Sequence, residues 1–173
     1  TPLTGSGGGY GPSMAKVAAQ VVEEVNAAGG LLGRKIRLTT EDTQTNPEAA
    51  MRSARKLIDI DKVEAIVGLW AGSETTAVAP LCWESQTVVM TVSGAETITK
   101  MPHQGYIFRT QPTTTLQGEK AAELIVGLGG KKVVFMTPQT PFADTQFAAF
   151  KAKIEAAGGT ADRIVYDDKK PTL

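Results

Sequence analysis

A short apolar run, residues 63–67, passes directly into a loop of small residues and then into a helix pattern. The loop reads Trp70-Ala71-Gly72-Ser73. In an open parallel sheet, ligands lie outside the carboxyl ends of the strands, and the free N–H groups at a helix start attract negative charge. This strand–loop–helix junction therefore predicts a binding site for a small anion, with Ser73 as an N-cap within reach of it.

Helix and strand patterns alternate along the whole chain with short breaks between them. The predicted helices cover residues 12–28 and 46–58, the segment after Ser73 to about 85, a segment around 121–128, and one that opens at Thr140. The predicted strands are residues 35–40, 63–67, 87–92, 106–109, 132–136 and 161–166. Such alternation indicates an α/β fold with a doubly wound parallel sheet.

Local signals support several of these boundaries. Asn46 followed by Pro47 is typical of a helix start, with a cap and then an N1 proline, and Thr140-Pro141 repeats the pattern. Gly29-Gly30 supplies a left-handed helix stop.

Composition excludes several classes of function. Eighteen basic and 18 acidic residues balance in a chain of 173, so no basic excess favours nucleic acid. No apolar run approaches the about 20 residues of a membrane span, and no signal-peptide pattern is present, so the chain is either cytoplasmic or already processed. Cys82 and His103 are each the single residue of their type, which disfavours a His/Cys metal site. Cys82 beside Leu81 on a helix is predicted to be a buried, inert thiol.

A polar, proline-bearing connector at residues 110–115 separates two α/β segments. We therefore predict a first lobe at residues 1–112 and the beginning of a second lobe at 113–173. The first lobe opens on a loop that delivers a helix, without the strand that would normally precede it. The expectation is a fragment of a larger two-lobed protein with an exposed sheet edge.

A set of motifs is distributed along the predicted first lobe. They are Pro2-Leu3-Thr4-Gly5, Tyr10-Gly11, the segment Asn26-Ala27-Ala28-Gly29-Gly30-Leu31-Leu32-Gly33-Arg34-Lys35-Ile36, Asp42, Asn46-Pro47, Ala54-Arg55-Lys56-Leu57-Ile58, and Val67-Gly68 through Ser73. Together they resemble the type I periplasmic binding proteins, and within them the branched-chain amino acid group that serves ABC importers. The resemblance implies two α/β lobes that close on a small molecule, with no catalysis and no cofactor. It also implies a periplasmic or otherwise extracytoplasmic location and a membrane permease as partner.

The resemblance also assigns ligand-binding residues. They are Tyr10, Trp70, Ala71, Gly72, Ser73, Gly94, Ala95, Glu96 and Phe142. Tyr10 matches the aromatic that leans over the ligand, and residues 70–73 match the loop that holds a carboxylate. Gly94, Ala95 and Glu96 match the loop that receives an ammonium group, and Phe142 matches a second-lobe aromatic.

Three departures from the family pattern leave the ligand open between an amino acid and a related carboxylate. The family hydroxyl usually stands where Gly72 is, so Ser73 is either a ligand contact or a plain cap. Glu96 replaces a threonine and is either an ammonium partner or a solvated loop carboxylate. Phe142 replaces a tyrosine and is either an apolar wall or a hydrophobic staple of its own helix. On composition alone, Tyr10 and Trp70 are predicted to be ordinary, partly buried aromatic residues.

A nucleotide-binding enzyme is the main competing interpretation, because a glycine-rich segment, residues 5–11, opens a helix. The dinucleotide pattern G-x-G-x-x-G needs glycine where Tyr10 stands, and no G-K-[ST] follows for a P-loop. The adjacent pairs Glu41-Asp42 and Asp167-Asp168 are poor acid/base dyads, because a strand directs neighbouring side chains to opposite faces. A sensory domain of a regulator or receptor with the same fold stays open, as does a dimer formed through the exposed sheet edge.

Overall fold

A computed structural model describes residues 1–102 and 104–166, and this part of the chain contains five α-helices, five strands, a π-helical segment at Lys56–Ile60 and a short 3₁₀ helix at Ile98–Lys100. The helices are α1 (Gly11–Ala27), α2 (Pro47–Arg55), α3 (Gly72–Glu84), α4 (Thr114–Gly127) and α5 (Pro141–Ala156). The strands are β1 (Ala65–Leu69), β2 (Val88–Thr91), β3 (Ile107–Arg109), β4 (Lys132–Pro138) and β5 (Thr160–Tyr166). His103 and the acidic pair Asp167-Asp168 lie outside the described residues.

The chain divides into two compact units. The first comprises Thr1–Ser93 and Thr97–Thr110, and the second comprises Gly94–Glu96 and Gln111–Leu173. The lobe boundary expected between residues 112 and 113 stays a prediction.

The first unit contains a parallel sheet in the order β1-β2-β3. Ile66 pairs with Val89 and Val89 with Ile107, and all three side chains are buried on the face where α3 packs against β1 and β2. On the opposite face Val67, Met90 and Phe108 form a second registered row, and these side chains are 52%, 41% and 48% exposed. One face of this sheet is therefore covered and the other is open within the described part of the chain.

The second unit pairs β4 and β5 in parallel, and α4 and α5 pack against each other. Its core is formed by Ala122, Phe150, Ile154 and Ala161, with Phe135 and Phe147 packed against it. Gly118 allows the close helix contact, because a Cβ there would lie 2.3 Å from the carbonyl oxygen of Gln146. The α/β class with parallel sheets, predicted from the alternation of patterns, is confirmed.

The predicted helix caps are confirmed. The Asn46 side chain accepts a hydrogen bond from the Ala49 N–H at 2.9 Å, and the Thr140 hydroxyl accepts one from the Ala143 N–H at 3.2 Å. Gly30 has a φ of 86° and donates its N–H to the Val25 carbonyl, which ends α1 as predicted.

The strand predicted at residues 35–40 is wrong, because the structure has no strand there. The side chain of Asn26 binds both backbone groups of Ile36: its oxygen accepts from the Ile36 N–H at 2.7 Å, and its amide donates to the Ile36 carbonyl at 2.8 Å. A strand needs a neighbouring backbone for its hydrogen bonds, and here one asparagine takes that place for Ile36. Alternating apolar residues alone therefore misidentified this segment.

Smaller differences concern element ends. The first strand of the sheet is Ala65–Leu69 and not 63–67, and α4 begins at Thr114, inside the segment predicted as a connector. The Thr113 hydroxyl caps α4 by accepting from the Leu116 N–H at 3.2 Å. The polar residues of the connector therefore include a helix start.

Asp42 holds the first residues of the chain in place. Its Oδ1 accepts hydrogen bonds from the backbone N–H groups of Leu3, Thr4 and Gln44, at 2.9, 3.1 and 2.8 Å. Its Oδ2 accepts the Thr4 hydroxyl at 2.6 Å. Desolvation acts to raise the pKa of Asp42, but these hydrogen bonds outweigh it and the pKa lies below its ordinary value.

We expect Asp42→Asn to lower the free energy of unfolding at pH 7 by about 1 kcal/mol, because an amide accepts these bonds more weakly than a carboxylate. A lowered folded-state pKa means that this stabilisation is present above the unfolded pKa of about 3.9 and is lost as pH falls through the folded pKa. Urea unfolding at pH 7 and between pH 5 and 2.5 measures it. Asp59→Asn, at an exposed acid, is the control. Equal acid sensitivity of wild type and Asp42→Asn would contradict the prediction.

Candidate functional site

The predicted ligand loop lies at the carboxyl end of β1, as the sequence indicated. β1 ends at Leu69, and α3 begins at Gly72 with Ala71 as its N-cap residue. Ser73 is the second residue of the helix, so its prediction as the N-cap is wrong. Its side chain is exposed, and its role as a ligand contact stays a prediction.

Glu74 stabilises this helix start in place of an N-cap side chain. Its Oε2 accepts a hydrogen bond from the Ala71 N–H at 2.9 Å. The residue is fully buried, and its second carboxylate oxygen has no hydrogen-bond partner among the described residues. Sequence reasoning missed Glu74, although an acid at the third helical position is a known sign of a helix start.

Three backbone donors remain at the start of α3. The first N–H groups of a helix have no intrahelical acceptor. In α3 the series of helical hydrogen bonds begins with the Thr75 N–H, which donates to the Ala71 carbonyl at 3.1 Å, so the N–H groups of Gly72, Ser73 and Glu74 precede it. Free donors at a helix start carry partial positive charge. Ala71 itself is not among them, because Glu74 occupies its N–H.

Two predicted site residues, Tyr10 and Trp70, come together. Their rings stack at a centroid distance of 5.6 Å and an interplanar angle of 25°. Tyr10 is 61% exposed and Trp70 is half-buried, so the pair presents aromatic surface to solvent. Gly7 permits this arrangement, because a Cβ there would lie 3.0 Å from the Trp70 ring. The glycine-rich segment thus places a turn against an aromatic ring.

The second predicted loop contacts the start of α4. The Gly94 carbonyl accepts hydrogen bonds from both the N–H and the hydroxyl of Thr114, each at 2.9 Å. Oε1 of Glu96 accepts from the Thr115 N–H at 3.0 Å, which places a carboxylate where a helix dipole favours it. Glu96 is half-buried and bound to α4, so its carboxylate is only partly solvated. The ligand roles of Gly94, Ala95 and Glu96 stay predictions.

Phe142 is the second residue of α5 and is 45% exposed. A hydrophobic staple uses the residue before the N-cap, so the staple alternative is wrong. Its role as a ligand wall stays a prediction.

The remaining reactive side chains have structural surroundings. The Cys82 side chain is fully buried, which confirms the buried position predicted for it, and burial raises the pKa of its thiol to about 12. Glu41 pairs with Lys56 while Asp42 binds backbone N–H groups, so the two adjacent acids have separate partners. Among the described residues no cluster of His, Cys, Asp or Glu forms a candidate metal site, and none of the helices there is long and apolar enough to cross a bilayer.

Parallel sheets flanked by helices, with candidate ligand residues at strand ends, are the architecture of the type I periplasmic binding proteins. The chain belongs to this family: the model described as "Periplasmic binding protein" matches residues 1–172. The family is one of solute-binding proteins and not of enzymes.

Similar proteins include an amino acid binding protein of Pseudomonas aeruginosa, 30% identical over 159 residues that cover 91% of this chain and 42% of the relative. The branched-chain amino acid binding protein LivJ of Streptococcus pneumoniae, solved with isoleucine, has a TM-score of 0.83 at 25% identity, over 99% of this chain and 49% of that chain. A solute-binding protein of Rhodopseudomonas palustris, solved with 3,4-dihydroxybenzoic acid, has a TM-score of 0.82 at 26% identity, over 96% and 45%. The chain spans about half the length of these relatives.

We expect Glu74→Ala to lower the free energy of unfolding by about 1–2 kcal/mol, because the Ala71 N–H loses its acceptor at the helix start. Thermal or urea unfolding measures the effect. Glu84→Ala, at the exposed far end of the same helix, is the matched control and should change stability by less than about 0.5 kcal/mol. Equal effects of the two substitutions would show that Glu74 does not act as a cap.

Proposed function

We propose that this chain is the ligand-binding part of an extracytoplasmic receptor of an ABC importer, and that it binds an amino acid of the branched-chain type or a similar small carboxylate. The observation that carries the proposal is the exposed Tyr10–Trp70 stack immediately before the free N–H groups of α3. The aromatic surface suits an apolar side group, and the helix start suits a carboxylate.

The start of α3 and the Tyr10–Trp70 pair recognise different parts of the ligand. The N–H groups of Gly72 and Ser73 donate to the ligand carboxylate, and the Ser73 hydroxyl is close enough in sequence to add a third donor. Tyr10 and Trp70 contact the side group of the ligand and exclude water from the carboxylate. Exclusion of water strengthens the charge-assisted hydrogen bonds, because the local dielectric constant falls.

The comparisons support a carboxylate as the common element. Isoleucine and 3,4-dihydroxybenzoic acid, the ligands of the two solved relatives, both carry one, but only isoleucine has an ammonium group. Glu96, the residue predicted to pair with an ammonium group, already accepts a hydrogen bond from α4. We therefore keep both ligand classes within the proposal, with a membrane permease as the transport partner.

Binding is tested by calorimetry on the protein at its full natural length. The panel is L-leucine, L-isoleucine, L-valine, benzoate, 3,4-dihydroxybenzoate, glucose and ATP. We expect at least one of the amino acids or benzoates in this panel to bind with a Kd of about 1 µM or tighter. We expect Tyr10→Ala to weaken that binding about tenfold, because the ligand loses half of the aromatic surface.

Leu32→Ala is the control for Tyr10→Ala. Leu32 is 94% exposed and follows the other end of α1, about 25 Å away along a helix of this length. Binding of ATP or glucose alone would overturn the proposal in favour of a nucleotide enzyme or a sugar sensor. Unchanged affinity in Tyr10→Ala would remove Tyr10 from the site.

We also expect the 173-residue chain to dimerise as its concentration rises. The sheet edge at β1 has no neighbouring strand among the described residues, and the adjoining open face carries the exposed row of Val67, Met90 and Phe108. Exposed strand edges and apolar faces both favour association with a second copy. Size-exclusion chromatography with light scattering over a range of concentrations measures the mass. A monomeric mass throughout would contradict this expectation.

A further inference from the structure

Two threonine hydroxyl groups meet in the interior of the first unit, directly beneath the ligand loop. Oγ1 of Thr75 lies 2.9 Å from Oγ1 of Thr91, and both residues are fully buried. Thr75 belongs to the first turn of α3, and Thr91 is the last residue of β2. Neither residue stands out in the sequence.

Thr91 connects three segments. Its hydroxyl donates to the Leu69 carbonyl at 2.8 Å and accepts from the Ser93 N–H at 3.0 Å. The Thr75 hydroxyl can donate either to the Thr91 hydroxyl or to the Ala71 carbonyl at 3.1 Å. The Ala71 carbonyl already accepts a hydrogen bond from the Thr75 N–H. Each hydroxyl has one proton, so Thr91 is saturated when Thr75 donates to it, Ser93 donates to it and it donates to Leu69.

This network lies where the backbone ladder is irregular. The pairing of β1 with β2 shifts between Val67 and Leu69, and Gly68 between them has a φ of 83°. Such irregularities redirect the end of a strand and are frequent beside binding sites. At this point the Thr91 hydroxyl adds a second hydrogen bond to the Leu69 carbonyl, which already accepts one from the Val92 N–H at 3.0 Å.

We infer that Thr91 is a positioning residue for the candidate site. Its hydroxyl fixes the end of β1, from which Trp70 and the start of α3 follow, relative to the segment that begins at Ser93. The inference rests on the proposed function, because the loop it positions is the proposed carboxylate site. Thr75 completes the same arrangement from the helix.

The test compares Thr91→Val, which keeps the shape and removes the hydroxyl, with Thr91→Ser, which keeps the hydroxyl. The control is Thr87→Val, which removes another buried threonine hydroxyl from the residue just before the opposite end of β2. Two measurements are made on the protein at its full natural length: hydrogen exchange of the bonded amides of Ala71, Thr75 and Ser93, and calorimetry with L-leucine and 3,4-dihydroxybenzoate.

We expect Thr91→Val to speed exchange at these amides and to weaken binding about tenfold. A tenfold change in Kd corresponds to the free energy of roughly one buried hydrogen bond. Thr91→Ser should restore both, and Thr87→Val should change neither, even where it lowers the melting temperature. The inference is overturned if exchange in Thr91→Val matches that in Thr87→Val, or if wild type and Thr91→Val bind equally. If the wild type binds neither probe, the proposed ligands fail, and the exchange measurement alone decides the role of Thr91.

Discussion

Parallel pairing of β1 with β2 is the constraint on which the candidate site depends. It places Leu69 opposite Thr91, so the two strands end side by side and both following loops leave from the same edge of the sheet. The Thr91 hydroxyl then binds the Leu69 carbonyl across this edge. The ladder sets the general position of the loops, and one side-chain hydroxyl refines it where the ladder is irregular. Packing of α3 on the same side of the sheet brings Thr75 and Glu74 to the same place.

Much of the fold was predictable because its signals are local. Asn46, Thr140 and Gly30 act within four or five residues of themselves, through caps and a left-handed turn, and each does what its sequence context indicates. The segment 35–40 could not be judged in this way. Its alternation is typical of a strand, but strand formation depends on a backbone partner that lies elsewhere in the chain, and Asn26 takes the groups of Ile36 instead.

The site residues also fall into those that the sequence indicated and those that it did not. Tyr10 and Trp70 were predicted from a family resemblance, and the structure stacks them. Glu74 and Thr91 were not found, since nothing near them in the sequence shows that they are buried, and burial is what makes a carboxylate or a hydroxyl organise a loop. Ser73 was assigned as the cap on residue type, yet the acid beside it provides that stabilisation from inside the helix.

The covered and open faces of the first sheet have different consequences for the site. Val89 and Thr91 share the face on which α3 packs, whereas Met90 faces the open side. The hydrogen bonds that join Thr75 of α3 to Thr91, and Thr91 to Leu69, are therefore formed on the covered side. Whatever covers Met90 adds apolar burial to the unit, and hence stability, without contributing to those bonds. The geometry of the carboxylate loop is thus decoupled from the open face, and substitutions at Thr91 and Met90 should affect different properties of the protein.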